Sequence, residues 1–209
     1  EYVKKYFVLP DQDNKVTSAI SQPNKDNKDP NEVIERQDIK QGKLNIGYRT
    51  NVTFKDDLYY ALQVFNGIFG GFSHSKLFIN VREKESLAYY AASRVESHKG
   101  LLLVMSGIDF SNYEKAVTII NKQIEAMRQG EYTDGEISQT KAVIKNQIFE
   151  TIDTARGLIE VLYNNEVSEV DKPIEAFLEG VENVTKEQIQ EVAKLIELDT
   201  TYFLTGKEA

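Results

Sequence analysis

The chain has 209 residues, 41% of them hydrophobic and 28% charged, so it can bury a core and is not globally disordered. Its net charge of −8 and the lack of any run of Lys or Arg argue against a nucleic-acid-binding protein. The absence of cysteine excludes disulfides, thiolate metal sites and cysteine nucleophiles from this sequence.

The sequence also gives an expectation for the compartment. The longest uninterrupted apolar run is LAYYAA, residues 87–92, which is far too short to cross a bilayer. The first residues show no signal-peptide pattern. We therefore expect a cytoplasmic protein that does not bind a membrane.

Residues 1–35 are expected to form an N-terminal arm and an inter-domain linker. Within them, residues 10–32 contain three of the four prolines and consist mainly of Asp, Asn, Lys, Gln and Ser, a composition typical of exposed linkers. The stretch DQDNK, residues 11–15, is similar to the start of a calcium loop but lacks the glycine that should follow, so we favour a linker. The first residues, EYVKKYFVL, are compatible with a short strand or the end of a preceding element.

Four segments of the folded part, which we place at residues 36–209, have the pattern of strands. Their apolar side chains alternate, or form short runs rich in β-branched and aromatic residues. They are KLNIGYRT (43–50), YYAASRVES (89–97), GLLLVMSGI (100–108) and TTYFLTG (200–206). Only His98 and Lys99 separate the second from the third, which predicts a β-hairpin.

Four segments have the apolar spacing of amphipathic helices. They lie at residues 56–70, 111–129, 133 to roughly 163, and from 185 onward. Gly70 and Gly71 are expected to end the first helix, and Gly130 the second. Each of the last two begins with a capping box, TDGE at 133–136 and TKEQ at 185–188. The simplest arrangement is a single α+β domain, with helices packed on one face of a mainly antiparallel sheet.

Few residues could carry chemistry. The two histidines, His74 and His98, lie in segments with different predicted roles, and we interpret His98 as a solvated turn residue and His74 as a packing or turn residue. No H-E-x-x-H or H-x-x-E-H motif is present, so a self-contained zinc site is not expected. Gly70 and Gly71 end a helix instead of opening one, which argues against a phosphate-binding loop. The chain by itself is expected to carry no complete active site and no metal.

One stretch needs a further explanation: FGGFSHSKLFINVREKESLAYY, residues 69–90. Its apolar residues between Ser75 and Val81 can pack as a short second helix. This leaves Arg82 and Tyr89, which a turn could bring to one side of the sheet. Guanidinium and phenol groups are both donors suited to a carbonyl, a carboxylate or a developing oxyanion.

A simpler interpretation of Arg82 is a surface ion pair. Glu83 and Glu85 follow it closely, and exposed charges of opposite sign commonly pair without any further role. The residue pattern alone favours this second interpretation.

The same stretch resembles the hallmark of the C-terminal half of pitrilysin/insulinase-type (inverzincin) zinc metallopeptidases, in particular the short bacterial members related to the mitochondrial processing peptidases. The matching motifs are Gly70-Gly71, Ser75-Lys76-Leu77-Phe78, Arg82-Glu83-Lys84 and Leu87-Ala88-Tyr89. The upstream QGKLNIGYRT and the downstream YTDGEISQTKAVIKNQI are also similar to the family. The resemblance therefore runs from about residue 36 to the end of the chain.

The resemblance implies two homologous α+β halves that close over an extended peptide. The other half, N-terminal to this one, would carry the H-x-x-E-H zinc motif, so zinc is expected there and no cofactor here. Arg82 and Tyr89 match the auxiliary residues that hold the substrate backbone and stabilise the tetrahedral intermediate. Gly70, Gly71 and the Ser75-Lys76-Leu77 segment match the structural part of the motif.

Two functions remain open on this basis. The chain could be the non-zinc half of a zinc-dependent endopeptidase if the parent carries H-x-x-E-H upstream. It could instead be half of a degenerate, inactive member that binds peptide or a catalytic partner. In both cases the isolated chain is expected to be inactive, and its expected partners are the N-terminal half of the parent, a peptide substrate, and a second subunit in a homodimer or heterodimer.

Overall fold

The computed structural model describes residues 1–7 and 29–207. Its five strands form one sheet in the spatial order β1-β5-β2-β4-β3. They are β1 (Asn31–Gln37), β2 (Gly42–Arg49), β3 (Ala88–Glu96), β4 (Leu101–Ile108) and β5 (Glu197–Gly206). β1 and β5 are parallel and the other neighbours are antiparallel, which confirms the predicted mainly antiparallel α+β fold.

The described part of the chain contains seven α-helices. They are α1 (Tyr2–Tyr6), α2 (Tyr59–Asn66), α3 (Tyr113–Arg128), α4 (Asp134–Ile152), α5 (Ala155–Ser168), α6 (Ile174–Glu182) and α7 (Lys186–Leu195). Two π-helical segments, Gly67–Gly71 and Phe78–Lys84, and a 3₁₀ turn, Phe110–Asn112, complete the helical structure. None of the helices within these described ranges is both long and apolar enough to span a membrane.

The core lies between one face of the sheet and the helices. On β2 the alternating side chains of Leu44, Ile46 and Tyr48 are at most 2% exposed, whereas the residues between them are partly exposed. The strand pattern predicted from this alternation is confirmed, because a period of two places every second side chain on the helix-covered face. The β3–β4 hairpin is confirmed as well.

Both predicted capping boxes are present. The hydroxyl of Thr133 accepts a hydrogen bond from the Glu136 N–H at 3.1 Å, and the Thr185 hydroxyl accepts one from the Gln188 N–H at 3.3 Å. Each acid or amide also accepts the backbone N–H of its threonine. These bonds satisfy amides that the first helical turn leaves without partners.

The prediction of one long helix from residue 133 to about 163 is wrong, because the chain forms two helices there, α4 and α5. The helix is interrupted at Asp153 and Thr154, and the Thr154 hydroxyl accepts a hydrogen bond from the Gly157 N–H at 3.0 Å. Gly157 lies against the end of α4, where an added Cβ would meet the Thr151 carbonyl oxygen at 1.9 Å. Only glycine permits so tight a corner, and no proline marks it in the sequence.

Three further elements differ from the expectations or were missed. The first residues form the helix α1, which excludes the strand, one of the two interpretations given above. β1 begins at residue 31, inside the segment expected to be a linker up to residue 32, and the proposed domain boundary after residue 35 falls within this strand. Helix α6 was not predicted. Residues 8–28, which include the DQDNK stretch, lie outside the described residues, and the division into arm and domain stays a prediction.

Candidate functional site

The connection between α2 and β3 carries the residues singled out in the sequence. The helical structure that begins with α2 continues as the π-helical segment Gly67–Gly71 and ends at the glycine pair, as predicted, because Phe72 is extended. An added Cβ on Gly70 would lie 2.5 Å from the Ser93 hydroxyl oxygen and 2.8 Å from the Ser93 backbone nitrogen. Gly70 therefore allows this connection to lie directly against β3.

The Ser75-Lys76-Leu77 segment anchors the next turn to the core. Ser75 and Leu77 are fully buried, and the Ser75 hydroxyl accepts a hydrogen bond from the Phe78 N–H at 3.4 Å. The predicted short helix is present, but it continues as a second π-helical segment that ends at Lys84. Val81 on this segment is also fully buried, so the following residue is held at the surface.

Arg82 lies near the end of that π-helical segment and its side chain is 42% exposed. The guanidinium carbon lies 4.6 Å from the centroid of the Phe78 ring, which orients it by a cation–π contact. Arg82 Nε lies 3.8 Å from a carboxylate oxygen of Glu83, and this ion pair is one of the two that the sequence suggested. At this distance and exposure the pair is weak, so it leaves the guanidinium able to donate to another group.

Tyr89 lies at a β-bulge. Ala88 pairs with Ile108 and Tyr90 with Gly107, so Tyr89 is the extra residue of β3. The bulge breaks the alternation of the strand, and both Tyr89 (64%) and Tyr90 (45%) are exposed. The Tyr89 hydroxyl makes no hydrogen bond with any of the described residues, whereas the Tyr90 ring covers Gly107.

The short turn between Arg82 and Tyr89 is well held. The Leu87 N–H donates to the Val81 carbonyl at 3.1 Å, which joins the residue before Arg82 to a residue two positions before Tyr89. Ser86 closes the turn in the left-handed conformation, with φ of 50°. The two donors that the sequence singled out therefore project from the two ends of one fixed turn.

An ion pair ties this turn to helix α3. Lys115 Nζ lies 2.7 Å from a Glu85 carboxylate oxygen. The hydrogen bond from Lys115, and the attraction of its charge, lower the pKa of Glu85. Glu85 therefore anchors the turn and does not pair with Arg82, which excludes one of the two surface partners considered for that arginine.

His74 packs against helix α4. Its Nε2 lies 2.9 Å from the Thr140 hydroxyl oxygen, and its ring lies 5.6 Å from the Phe72 ring. Burial lowers the pKa of His74, although the nearby Glu136 carboxylate raises it. This is a packing role, one of the two that the sequence suggested.

His98 is not a solvated turn residue, which corrects the interpretation from the sequence. Its Nε2 lies 2.8 Å from the Asn164 side-chain oxygen and its Nδ1 lies 3.3 Å from the Ser168 hydroxyl, while its ring stacks on Phe54. The fully buried Ser168 hydroxyl donates to the Asn164 carbonyl, so it is not a nucleophile. The partners lie 66 and 70 residues away, and no local pattern could reveal them.

A second feature that the sequence did not reveal surrounds Lys172. Its Nζ lies 4.9, 4.5 and 5.0 Å from the ring centroids of Phe54, Tyr59 and Tyr60, and it donates to the Phe54 carbonyl at 2.5 Å. Burial in this aromatic site lowers the pKa of Lys172. The contact fixes the segment between α5 and α6 to the start of α2.

Metal binding requires several converging ligands. Among residues 1–7 and 29–207, no group of three or more His, Cys, Asp or Glu side chains is placed to hold a metal ion. The side chains that are present therefore do not fit a zinc centre.

Comparison with known proteins identifies the family. The family model described as the peptidase M16 inactive domain matches residues 1–144. The probable inactive metalloprotease YmfF of Bacillus subtilis (strain 168) is 64% identical over 179 residues, which are 86% of this chain and 42% of that protein. The chain thus spans less than half the length of this relative.

Solved structures agree with this. A conserved protein from Enterococcus faecalis V583 has 44% sequence identity and a TM-score of 0.81, over 86% of this chain and 43% of that chain. A peptidase M16 inactive domain from Pseudomonas fluorescens has the same fold at 16% identity, with a TM-score of 0.70, over 85% of this chain and 43% of that chain. These findings confirm the resemblance seen in the sequence, and the chain belongs to the peptidase M16 inactive-domain family.

Proposed function

We propose that this domain holds an extended peptide within a two-half, peptidase-like protein, and that Arg82 and Tyr89 donate hydrogen bonds to the peptide backbone. The observation that carries the proposal is that two exposed donors lie at the ends of one fixed turn, each on irregular backbone. Arg82 is on a π-helical segment and Tyr89 is on a β-bulge. Both kinds of irregularity are enriched at functional sites, where they aim side chains.

The chemistry of the pair suits a peptide carbonyl. The guanidinium offers several N–H donors in one plane and the phenol offers one O–H donor. Both can therefore bind a carbonyl oxygen, and both bind it more strongly as it gains negative charge. Neither group can activate water or a nucleophile from its exposed position, so this half binds and orients the peptide only.

Bond cleavage would need groups from outside this domain. In active members of the family, zinc supplies the activated water, and the described residues here offer no site for it. Cleavage by the parent would therefore depend wholly on its other half.

The alternative, a half of an inactive protein, is favoured by one finding. The relative with 64% identity is described as a probable inactive metalloprotease. In that case Arg82 and Tyr89 would bind peptide, or a segment of a catalytic partner, without any bond being cleaved. Both versions require the same two donors, and they differ only in whether the full-length protein binds zinc and cleaves.

The test uses the full-length protein that contains this domain and fluorescein-labelled peptides from a casein digest, with binding followed by anisotropy. We expect Arg82→Gln and Tyr89→Phe each to weaken binding about tenfold, because losing a hydrogen bond of this kind costs ~1.4 kcal/mol. The matched controls are Tyr90→Phe, the adjacent exposed tyrosine, and Arg94→Gln, an exposed arginine of β3. They should bind like the unmodified protein.

Zinc content and cleavage of the same peptides then distinguish the two versions. Bound zinc together with chelator-sensitive cleavage indicates an active peptidase. The absence of both zinc and cleavage indicates the inactive version. If Arg82→Gln and Tyr89→Phe bind as tightly as the two controls do, the proposed role of the pair is wrong in both versions.

A further inference from the structure

Helix α5 is held to the rest of the domain along one side only. Its buried residues are Gly157 and Ser168, one near each end. Gly157 forms the corner with α4, and the last turn is held by the Asn164 contact with His98 and by a hydrogen bond from the Asn165 amide to the Lys172 carbonyl at 3.0 Å. The opposite side of the helix faces away from the core.

That opposite side is apolar. Ile159, Leu162 and Tyr163 are 65%, 59% and 66% exposed, and their spacing places them on one face of the helix. Leu158 of the same helix is also exposed, at 41%. We call these four residues the α5 patch. Contiguous exposed apolar surface on a folded domain marks a site of association.

The charges at the two ends of α5 are the opposite of what the helix itself prefers. Arg156 lies in the first turn and Glu166 in the last, although a helix favours anions at its N-terminus and cations at its C-terminus. Neither side chain makes an ion pair or hydrogen bond with any of the described residues. Both are exposed on the same side as Ile159 and Tyr163.

We propose that α5 forms the interface of a symmetric dimer of this chain, in which the two α5 helices pack antiparallel through the α5 patch. A two-fold axis beside residue 161 brings Arg156 opposite Glu166 of the partner subunit. The same axis brings Ile159 opposite Tyr163 of the partner subunit. Antiparallel packing also places opposite helix ends together, so the charges that oppose their own dipole are stabilised by the neighbouring helix.

Other occupants fit this surface less well. Glu150, Asp153 and Glu160 are exposed around the α5 patch, and they would repel an anionic lipid surface. The apolar pair Ile159/Tyr163 and the charged pair Arg156/Glu166 are both centred on residue 161, as a two-fold axis requires. Binding to an unrelated protein, or to the other half of the parent protein, would not require this common centre. The proposal is independent of the peptide-binding role of Arg82 and Tyr89, which lie in the connection between α2 and β3.

The test is a sedimentation-equilibrium measurement on the full-length protein, between about 1 and 100 µM, the range in which weak interfaces dissociate. We expect a monomer–dimer equilibrium. Ile159→Ser combined with Tyr163→Ser should abolish the dimer. Arg156→Glu and Glu166→Arg should each raise the dimer dissociation constant at least tenfold, because each places like charges opposite one another.

The double variant Arg156→Glu/Glu166→Arg restores opposite charges across the interface, so it should dimerise within about threefold of the unmodified protein. Glu191→Arg, which makes the same charge change on the exposed side of α7, is the matched control and should have no effect. Far-UV circular dichroism is the control that checks whether each variant is folded.

Three results would overturn the proposal. One is a protein that is monomeric throughout the concentration range, as it would be if its other half covered the α5 patch. Another is a dimer that survives the serine substitutions. The third is a double charge variant that dimerises no better than the single ones, which would exclude the antiparallel pairing.

Discussion

Ser86 links the π-helical segment that carries Arg82 to the strand that carries Tyr89, and it does so in the left-handed conformation. For a residue with a Cβ this conformation costs about 1 kcal/mol, which glycine does not incur. The side chain is exposed, so its replacement removes no packing. The strain is therefore confined to the backbone of the turn that positions the two donors.

Replacing Ser86 tests the importance of this turn. We expect Ser86→Gly to raise the free energy of unfolding by roughly 0.5 kcal/mol, since the relief of strain is partly offset by the greater freedom of glycine in the unfolded chain. Ser86→Val should lower it by more than about 1 kcal/mol and should also weaken peptide binding. Urea unfolding and anisotropy measure the two effects. Equal stabilities of the Gly and Val variants would show that the left-handed turn is not maintained in solution.

His74 should make stability depend on pH. Burial lowers its pKa below the ordinary value of 6.5, so the unfolded chain takes up a proton at a higher pH than the folded chain does. The contribution of His74 to the free energy of unfolding is complete above the unfolded-state pKa of 6.5, and it is lost as the pH falls toward the lower pKa of the folded state. Between about pH 7.5 and 5.5 the melting temperature of the unmodified protein should fall more steeply than that of His74→Gln. Parallel curves for the two proteins would contradict this.

At the scale of single elements, the corner between α4 and α5 depends on Gly157. Alanine is the better helix former by about 1 kcal/mol, but here its Cβ would lie 1.9 Å from the Thr151 carbonyl oxygen. Backbone at that distance cannot simply move aside, so we expect Gly157→Ala to destabilise the domain by about 1–3 kcal/mol. It should also displace α5.

A matched control exists in the neighbouring helix. Gly135 lies in the first turn of α4, and the nearest atom to an added Cβ is the Thr133 hydroxyl oxygen at 3.6 Å. Gly135→Ala should therefore stabilise the domain by up to about 1 kcal/mol. Urea unfolding of both variants compares the two sites. If Gly157→Ala were the more stable protein, the close approach at the corner would not exist.

The elements predicted correctly are those whose signal is local. Alternation in β2 and the capping boxes at Thr133 and Thr185 depend on residues a few positions apart. β1 has no such signal, because all seven of its residues are exposed and it becomes a strand only by pairing with β5 at the other end of the chain. The break at Thr154 has no signal at the break itself, because Asp153 and Thr154 are neither glycine nor proline and Gly157 lies three residues further on, inside α5.

The candidate site was predicted only in part, for a similar reason. The sequence motif identified Arg82 and Tyr89, but the π-helical backbone and the β-bulge that hold them arise from packing against β3 and β4. The contacts of His98 lie 66 and 70 residues away in the chain. Sequence patterns of a few residues do not contain such information.

At the scale of the whole molecule, the last strand completes the sheet. β5 lies between β1 and β2, and within residues 1–7 and 29–207 it is the only strand that pairs with β1. Its Phe203 is 4% exposed, and Thr201 and Thr205 are also buried. The sheet and the core therefore form only after the entire domain is available, because an interior position of the sheet is filled from the end of the chain.

The family model ends at residue 144, well before β5, and this leads to a prediction about fragments. A fragment of residues 1–144 would lack the end of α4 and all of α5, α6, α7 and β5, so β1 would have no partner strand, β2 would become an edge, and part of the helical layer over the sheet would be missing. We expect it to show no cooperative urea transition and little near-UV circular dichroism. A fragment that ends at residue 206 keeps β5 complete and should unfold cooperatively in the same experiment. A cooperative transition of the 1–144 fragment would mean that the core does not require β5, contrary to the burial of Phe203 between the sheet and the helices.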